Sequence, residues 1–319
     1  MKAGKYFILS MNPGFDQWHI VHKEPAVQGV FRADEVLRIV SGKGLNVARV
    51  LNNMGYYDYV CVNILGGSVG EIISEQCREE GLNCLNYHIA SESRINTCVM
   101  LEYKKETVSY NDPGPVLLKE EVSGFQEFLI DRLPNQLGSA VLSGAPSRGI
   151  SERDYRDILD TVLKCGHELI VDVSGRWLEI ASEYPLKLLK VNREEFKEAF
   201  QLDAFLFIEN LKRFKNERRI QTLIVTDGKN GCIAYGENQE CYWCRAENIE
   251  SGSFSVGSGD TFLGGYLIKM ASGENLKTCL EYAAACGLSN TYQYGPAMIH
   301  NIEVEKLINY MSVIPVTVK

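Results

Sequence analysis

A carboxylate next to a glycine-rich turn is the first feature of this sequence that calls for a chemical reason. In Ser255-Val256-Gly257-Ser258-Gly259-Asp260-Thr261-Phe262-Leu263-Gly264-Gly265 the turn runs straight into an apolar-faced helix carrying Phe262, Leu263, Tyr266, Leu267 and Met270. Glycines let a backbone approach a ligand and aim several N–H groups one way. A helix N-terminus adds partial positive charge. Gly257, Ser258 and Gly259 therefore read as an anion hole. An aspartate there would repel an anion if holding it were the only task. It makes sense if a hydroxyl must be deprotonated beside that anion, as phosphoryl transfer requires. Taken alone, the stretch is read as well by an Asp260 that simply favours the helix dipole.

Three further stretches combine polar side chains with tight turns. In Ser41-Gly42-Lys43-Gly44-Leu45-Asn46-Val47-Ala48, glycines again precede a helix. Lys43 suits a phosphate and the Asn46 amide suits a polyol. The stretch lacks the earlier glycine and the Ser/Thr of a P-loop, and Val47 replaces the third glycine of a dinucleotide fingerprint. Val225-Thr226-Asp227-Gly228-Lys229-Asn230-Gly231 ends a strand in a polar turn, which reads as a nucleotide-phosphate wrap or as an ordinary tight hairpin. Asn192-Arg193-Glu194-Glu195 follows a strand. A Glu at that end can order the waters of Mg²⁺, or it can be a solvated first helical turn.

Strand-like and helix-like stretches alternate along most of the chain, predicting a mostly parallel sheet with helices on its faces. Tyr6 to Met11, Tyr59 to Leu65, 140–142, 169–171, Leu188-Leu189-Lys190-Val191 and Gln221 to Thr226 read as buried strands, and Gly231 to Tyr235 as another. Lys43 to Met54 and Glu71 to Gly81 read as helices, each with a glycine stop. Ser151 to Asp154 has capping-box spacing. Val27 to Val40 alternates without a helical face. Ile95 to Tyr110 reads as two strands around Lys104-Lys105-Glu106. These two segments suit a small accessory sheet or an ordinary hairpin edge.

The chain has 319 residues, 45% hydrophobic and 23% charged, ordinary for a globular protein with a large core. No apolar run is long enough for a membrane span, and the first residues do not form a signal peptide, so a cytoplasmic protein without a membrane partner is expected. The formal charge of −8 argues against a nucleic-acid partner. It also means that an anionic substrate needs specific Lys or Arg residues. Ten cysteines need no disulfides in such a chain. Cys241 and Cys244 have half the spacing of a zinc site but no second pair, and read as thiols on a strand.

Taken in order, these motifs resemble the pfkB (ribokinase-like) carbohydrate kinases over nearly the whole chain. Gly42 to Asn46 is similar to the family's N-terminal signature, Val256 to Thr261 to its C-terminal signature, Asn192 to Glu195 to its N-x-x-E motif, and Thr226 to Gly231 to its nucleotide turn. Leu9 to Asp16, Arg94-Ile95-Asn96 and Asn111 to Pro115 resemble the branch of 1-phosphofructokinases and tagatose-6-phosphate kinases. Ser41, Ser258 and Ser143 to Gly149 depart from the usual pattern without removing a charged group.

The resemblance implies a three-layer α/β/α kinase domain over 1–319, with a mostly parallel sheet and a small β lid from about 15–40 and 86–112. It implies ATP with Mg²⁺ and a sugar phosphate of the fructose 1-phosphate or tagatose 6-phosphate type. Asp260 would be the base, and Gly257, Ser258 and Gly259 the anion hole. Asp16, Gly42 and Asn46 would hold the sugar, and Lys43 and Arg94 its phosphate. Asn192, Thr226, Gly228, Gly231 and Asn290 would lie by the nucleotide, and Glu195 by the metal. A homodimer through the lid is expected. The alternatives are a kinase of a neutral sugar or nucleoside, a non-catalytic sugar-phosphate sensor, and, from Gly42-Lys43-Gly44, a dinucleotide-dependent oxidoreductase.

Overall fold

The central strands are continuous apolar runs because both of their faces are covered. In the computed structural model, which describes residues 5–24, 29–133, 138–206 and 208–316, fourteen strands build two sheets. They are β1 (Lys5–Ser10), β2 (Gly14–Val21), β3 (Glu35–Ser41), β4 (Tyr59–Gly66), β5 (Cys84–Ile89), β6 (Arg94–Leu101), β7 (Glu106–Tyr110), β8 (Gly138–Ser143), β9 (Glu168–Asp172), β10 (Leu186–Asn192), β11 (Ile220–Thr226), β12 (Cys232–Tyr235), β13 (Cys241–Ala246) and β14 (Met311–Pro315). The large sheet has the order β14-β13-β12-β11-β10-β9-β8-β1-β4-β5. It is parallel from β5 to β11 and antiparallel from there to β14.

Successive side chains on the parallel strands enter opposite cores. Phe7, Leu9, Leu142, Val171 and Val191 face one, packed under helices such as Glu152–Lys164 through Tyr155, Ile158 and Leu159. Ile8, Val141, Ile170, Leu188 and Ile224 face the other, under Leu45, Ala48 and Leu51 of helix Lys43–Asn53 and Leu263 and Leu267 of helix Ser258–Ala271. The result is the expected three-layer α/β/α arrangement. No helix among the described residues is long and apolar enough to cross a membrane.

The second sheet, in the order β3-β2-β6-β7, takes most of the residues expected in the lid. Its inner face buries Trp18, Ile20, Ile39, Cys98 and Met100 against Phe254 of the main body, with the Trp18 and Phe254 ring centroids 4.7 Å apart. The two strands expected around residues 104–106 are β6 and β7, and Lys105 takes the left-handed conformation between them. Residues 27 and 28, where the alternating segment was expected to begin, lie outside the described residues. Residues 86–89, expected in the lid, instead continue β5 along the edge of the large sheet, in parallel register with β4. The second helix runs Gly67–Glu79, starting before the expected Glu71, because a distant carboxylate caps it: Glu92 accepts from Val69 N at 2.5 Å and from Ser68 Oγ at 3.1 Å.

Candidate active site

Three parallel strands end in polar residues on one edge of the sheet: β9 in Asp172, β10 in Asn192 and β11 in Thr226. That edge is where open α/β sheets place their ligands. The N-termini of helices Lys43–Asn53 and Ser258–Ala271 open onto it, and Gly264 lets the two helices cross closely. A Cβ there would lie 2.5 Å from Val50 Cγ1. With the lid above, these elements enclose a cleft of about 830 Å³. It is lined by Asp16, Gly42, Lys43, Asn46 and Arg94, by Asn192, Glu195, Thr226, Gly228 and Gly231, and by Gly257 to Asp260. Among the expected site residues, Asn290 alone does not line it.

Asp260 occupies the first turn of its helix, 6% exposed, and accepts from Asn46 Nδ2 at 2.7 Å. Burial pushes its carboxyl up to about 6. Lys43 and Lys190 and the Asn46 bond pull the other way, and the Asp172 charge adds to the rise. A carboxylate near that value is a better proton acceptor at neutral pH than an ordinary aspartate. Thr261 N reaches back to Gly257 O at 2.8 Å, and Ser258 N to Ser255 O at 3.2 Å. The first N–H groups of a helix have no intrahelical acceptor, so Gly259 and Asp260 present theirs at the turn. Gly257 must be glycine: its φ is 81°, and a Cβ would lie 2.6 Å from Pro296 Cβ.

Beside this turn lies an ion-pair group that the motifs did not indicate. Asp172, fully buried, accepts from Lys190 Nζ at 2.7 Å and from Lys43 Nζ at 3.1 Å. Burial opposes ionisation of Asp172, yet the two ammonium groups outweigh it and hold the carboxyl below the usual aspartate range. Lys190, 4% exposed, sits so close under the glycine turn that a Cβ on Gly259 would lie 2.8 Å from its Nζ. Lys43 also approaches Glu195 Oε1 at 3.8 Å. Burial works against the Lys43 charge, but Asp172, Asp260 and Glu195 raise its pKa well above the ordinary lysine value. Lys43 is thus ion-paired at the sheet edge while lining the cleft.

Arg94 is different. It enters the cleft from the first residue of β6, and its Nε has no hydrogen-bond partner among the described residues although that atom is buried. Burial lowers its pKa, partly offset by Asp16 and Asp112. Asp16, 4% exposed, accepts from Asn96 Nδ2 at 2.7 Å. Burial raises its pKa against hydrogen bonds from Ser41 and Asn96 and the charges of Arg94 and Arg49. These residues form a polar ceiling for the cleft.

At the other end, Asn192 and Glu195 form a reciprocal capping box. Glu195 N donates to Asn192 Oδ1 at 2.8 Å, and Asn192 N to Glu195 Oε2 at 3.3 Å. Glu195 is thereby held in a first helical turn while one oxygen faces Lys43 and the cleft. In the turn after β11, Gly228 has φ 50° and open space where a side chain would stand. Gly231 has φ 89°, and a Cβ there would lie 2.0 Å from Cys244 O. At Gly228 the turn offers bare backbone to a ligand. Asn290 is fully buried. Its Nδ2 donates to Val256 O at 2.9 Å and Ser258 Oγ at 3.0 Å, and its Oδ1 accepts from Ala297 N at 2.7 Å. It braces the glycine turn from behind, so the expected nucleotide contact is replaced by a supporting one. Cys241 and Cys244 lie on β13, and no group of three or more potential metal ligands exists among the described residues.

Known proteins share this fold. The pfkB family carbohydrate kinase profile matches residues 11–299. A tagatose-6-phosphate kinase of Staphylococcus epidermidis is 27% identical over 314 residues, covering 97% of this chain and 99% of its own length. Two solved structures are similar in fold. A possible 1-phosphofructokinase of Thermotoga maritima has a TM-score of 0.87 at 19% identity, covering 98% of this chain and 100% of its own. Phosphofructokinase-2 of Escherichia coli, in complex with substrates and products, has a TM-score of 0.86 at 21% identity, covering 96% and 99%. The chain, with its ribokinase-like fold and its glycine turn, buried aspartate and polar turn along one sheet edge, belongs to the pfkB family of carbohydrate kinases.

Proposed function

We propose that this kinase transfers the terminal phosphoryl group of ATP to a hydroxyl of a sugar phosphate, of the fructose 1-phosphate or tagatose 6-phosphate type, giving a bisphosphate. The observation that carries the anionic-sugar reading is Arg94, a cleft-lining guanidinium that feels Asp16 and Asp112 but forms no ion pair among the described residues. A guanidinium with no carboxylate paired to it can take a substrate phosphate through charge-assisted bonds. A neutral sugar or nucleoside offers no such group, and a non-catalytic sensor has no use for a carboxylate raised to about 6. Val47, in place of the third glycine of the fingerprint, sets aside a dinucleotide enzyme.

In this reading Asp260 takes the proton of the attacking hydroxyl as its oxygen bonds to the terminal phosphorus and ADP leaves. Asp16 and Asn96 orient the sugar. Asn46, whose amide nitrogen already serves Asp260, acts mainly on the base. The N–H groups of the glycine turn and the Lys190 and Lys43 ammonium groups stabilise charge on the moving phosphoryl group. Lys43 therefore works at the reacting end, and Arg94 carries the substrate's own phosphate. The open backbone at Gly228 suits a nucleotide laid along the turn from Thr226 to Gly231. Both Asp172 oxygens are taken by lysines, so Glu195 is the carboxylate that would help hold Mg²⁺. The metal supplies charge neutralisation there. Exposed Val36, Ile95, Val108 and Tyr110 on the lid support pairing of two copies through that sheet.

A coupled assay of ADP release across phosphorylated and free sugars tests the reading. Turnover is expected with ketose phosphates and not with their unphosphorylated counterparts; preference for a free sugar or a nucleoside would overturn it. Within that assay, Arg94→Ala is expected to raise KM for the sugar phosphate about tenfold or more, the effect of losing a hydrogen bond to a charged group. KM for ATP should stay close to its original value. An unchanged sugar-phosphate KM would remove Arg94 from the clamp.

A further inference from the structure

Arg49 lies one turn after Asn46 in helix Lys43–Asn53 and is 1% exposed. Arginines are almost never buried to that degree unless paired. Its guanidinium grips Glu80 with two donors, Nε at 2.6 Å and Nη2 at 3.1 Å. Nη2 also donates to Val40 O at 2.7 Å, and Nη1 donates to Pro296 O and to Asn46 Oδ1, each at 3.3 Å. The acceptors come from the end of the second helix, from β3 of the lid, from the loop that backs Gly257, and from Asn46 itself. Other groups that feel the Arg49 charge are Asp16, Cys77 and Cys84.

The Asn46 contact has a chemical consequence. An asparagine amide has one donor end and one acceptor end, so its orientation decides what Asp260 meets. With Oδ1 accepting from Arg49, the Nδ2 end is turned toward Asp260 Oδ2. The flipped amide would set oxygen against carboxylate and an NH₂ group against a guanidinium, two repulsive contacts in a buried site.

We infer that Arg49, clamped by Glu80, is a positioning residue that locks the Asn46 amide so that it donates to Asp260, and thereby sets the orientation and basicity of that carboxylate. The inference rests on the reading of Asp260 as the base. Asp260 is also faced by Lys43, Asp172 and Lys190, which the proposed variants leave in place.

Arg49→Lys tests it, because a compact ammonium cannot reproduce the fork that holds Glu80 and Asn46 together. Expected are a kcat lowered about tenfold, near one lost hydrogen bond to a charged group, and a sugar-phosphate KM within about threefold of the original, since the lock acts on the base and not on the Arg94 clamp. The acid limb of the kcat–pH profile should move to higher pH, because losing a donated bond raises a carboxylate pKa. Glu80→Gln, which loosens the clamp and keeps the arginine, should move both quantities the same way by less. A fall in kcat with the acid limb unmoved means that Arg49 only supports the fold and overturns the inference, as does normal kcat in both variants. If Arg49→Lys does not fold, Glu80→Gln decides alone, and an unmoved limb there overturns it. Asp260→Asn, assayed in parallel, separates the two readings: near-normal turnover in that variant sinks the base, whereas collapse of that variant beside an unaffected Arg49→Lys sinks only the lock.

Discussion

Asp260→Asn is expected to lower kcat by about 10²–10⁴-fold, the usual contribution of a positioned base, while sugar-phosphate binding is kept. The substitution is close to isosteric, and Asn46 Nδ2 can still donate to the new amide oxygen, so the turn and helix that present the residue should stand. The variant also removes a buried charge. A carboxyl raised to about 6 by burial lies above its unfolded value near 3.9. Such a group favours the folded state at low pH, and that contribution is lost as pH rises through about 6. Above pH 6 the native enzyme therefore holds Asp260 ionised against its surroundings, and the neutral amide of the variant is relieved of that cost. Thermal unfolding at pH 8 should show the variant at least as stable as the native protein. Dead and stable is the combined outcome that marks a catalytic group; dead and unstable would mark a structural one. In the native enzyme kcat/KM should rise with pH up to about 6 and then level, and the residual activity of the variant should lack that limb. Turnover near the native rate would remove Asp260 from the chemistry.

The parts of the site that were legible in the sequence are those built from local chain. The glycine turn with Asp260, the Lys43–Asn46 helix start and the polar turn after β11 each lie within a few residues, and their order matches the order in which the sheet edge collects them. In the sequence alone the N-x-x-E segment reads either as a metal-facing glutamate or as a first helical turn. The capping box makes it a first helical turn that also directs Glu195 at the cleft, so the two readings are not alternatives. The parts that were not legible depend on strands distant in sequence. Asp172 and Lys190 sit in apolar stretches that read as buried strands, and nothing near either residue names its partner. A signal was present all the same: a lysine within Leu188-Leu189-Lys190-Val191 and an aspartate at the end of Leu169-Ile170-Val171-Asp172 are charges on central strands, and adjacent strands bring such charges together. Arg49 carried the same signal in the middle of an apolar helix. The lid boundary at residues 86–89 was missed for a related reason, because an edge strand of the large sheet and a lid strand have the same local pattern.

Lys190→Met is expected to destabilise the protein by about 3 kcal/mol at neutral pH, the lower range for breaking a buried ion pair by removing one partner. Asp172 is fully buried, and its better hydrogen bond is the one from Lys190, at 2.7 Å against 3.1 Å for Lys43. Lys43 is itself shared with Glu195 and feels Asp260, so it cannot replace the lost charge. A shift in melting temperature of roughly 4–5 °C corresponds to that loss in a chain of this size. The pH dependence identifies the cause. In the native protein the Asp172 carboxyl is held below its ordinary value, so its stabilising contribution is present above the unfolded pKa and is lost as pH falls through the folded one. In the variant burial prevails, the carboxyl rises, and protonation relieves the buried charge. The gap in stability between variant and native protein should therefore be largest near pH 8 and narrow on acidification toward pH 5. A gap that stays constant over this range would mean that Lys190 contributes packing alone. The same variant should lower kcat, because the ammonium under Gly259 is then missing from the anion hole. Lys190→Arg should recover stability more than activity: a guanidinium can pair with Asp172, but its planar fork does not reproduce the compact ammonium beside the glycine turn.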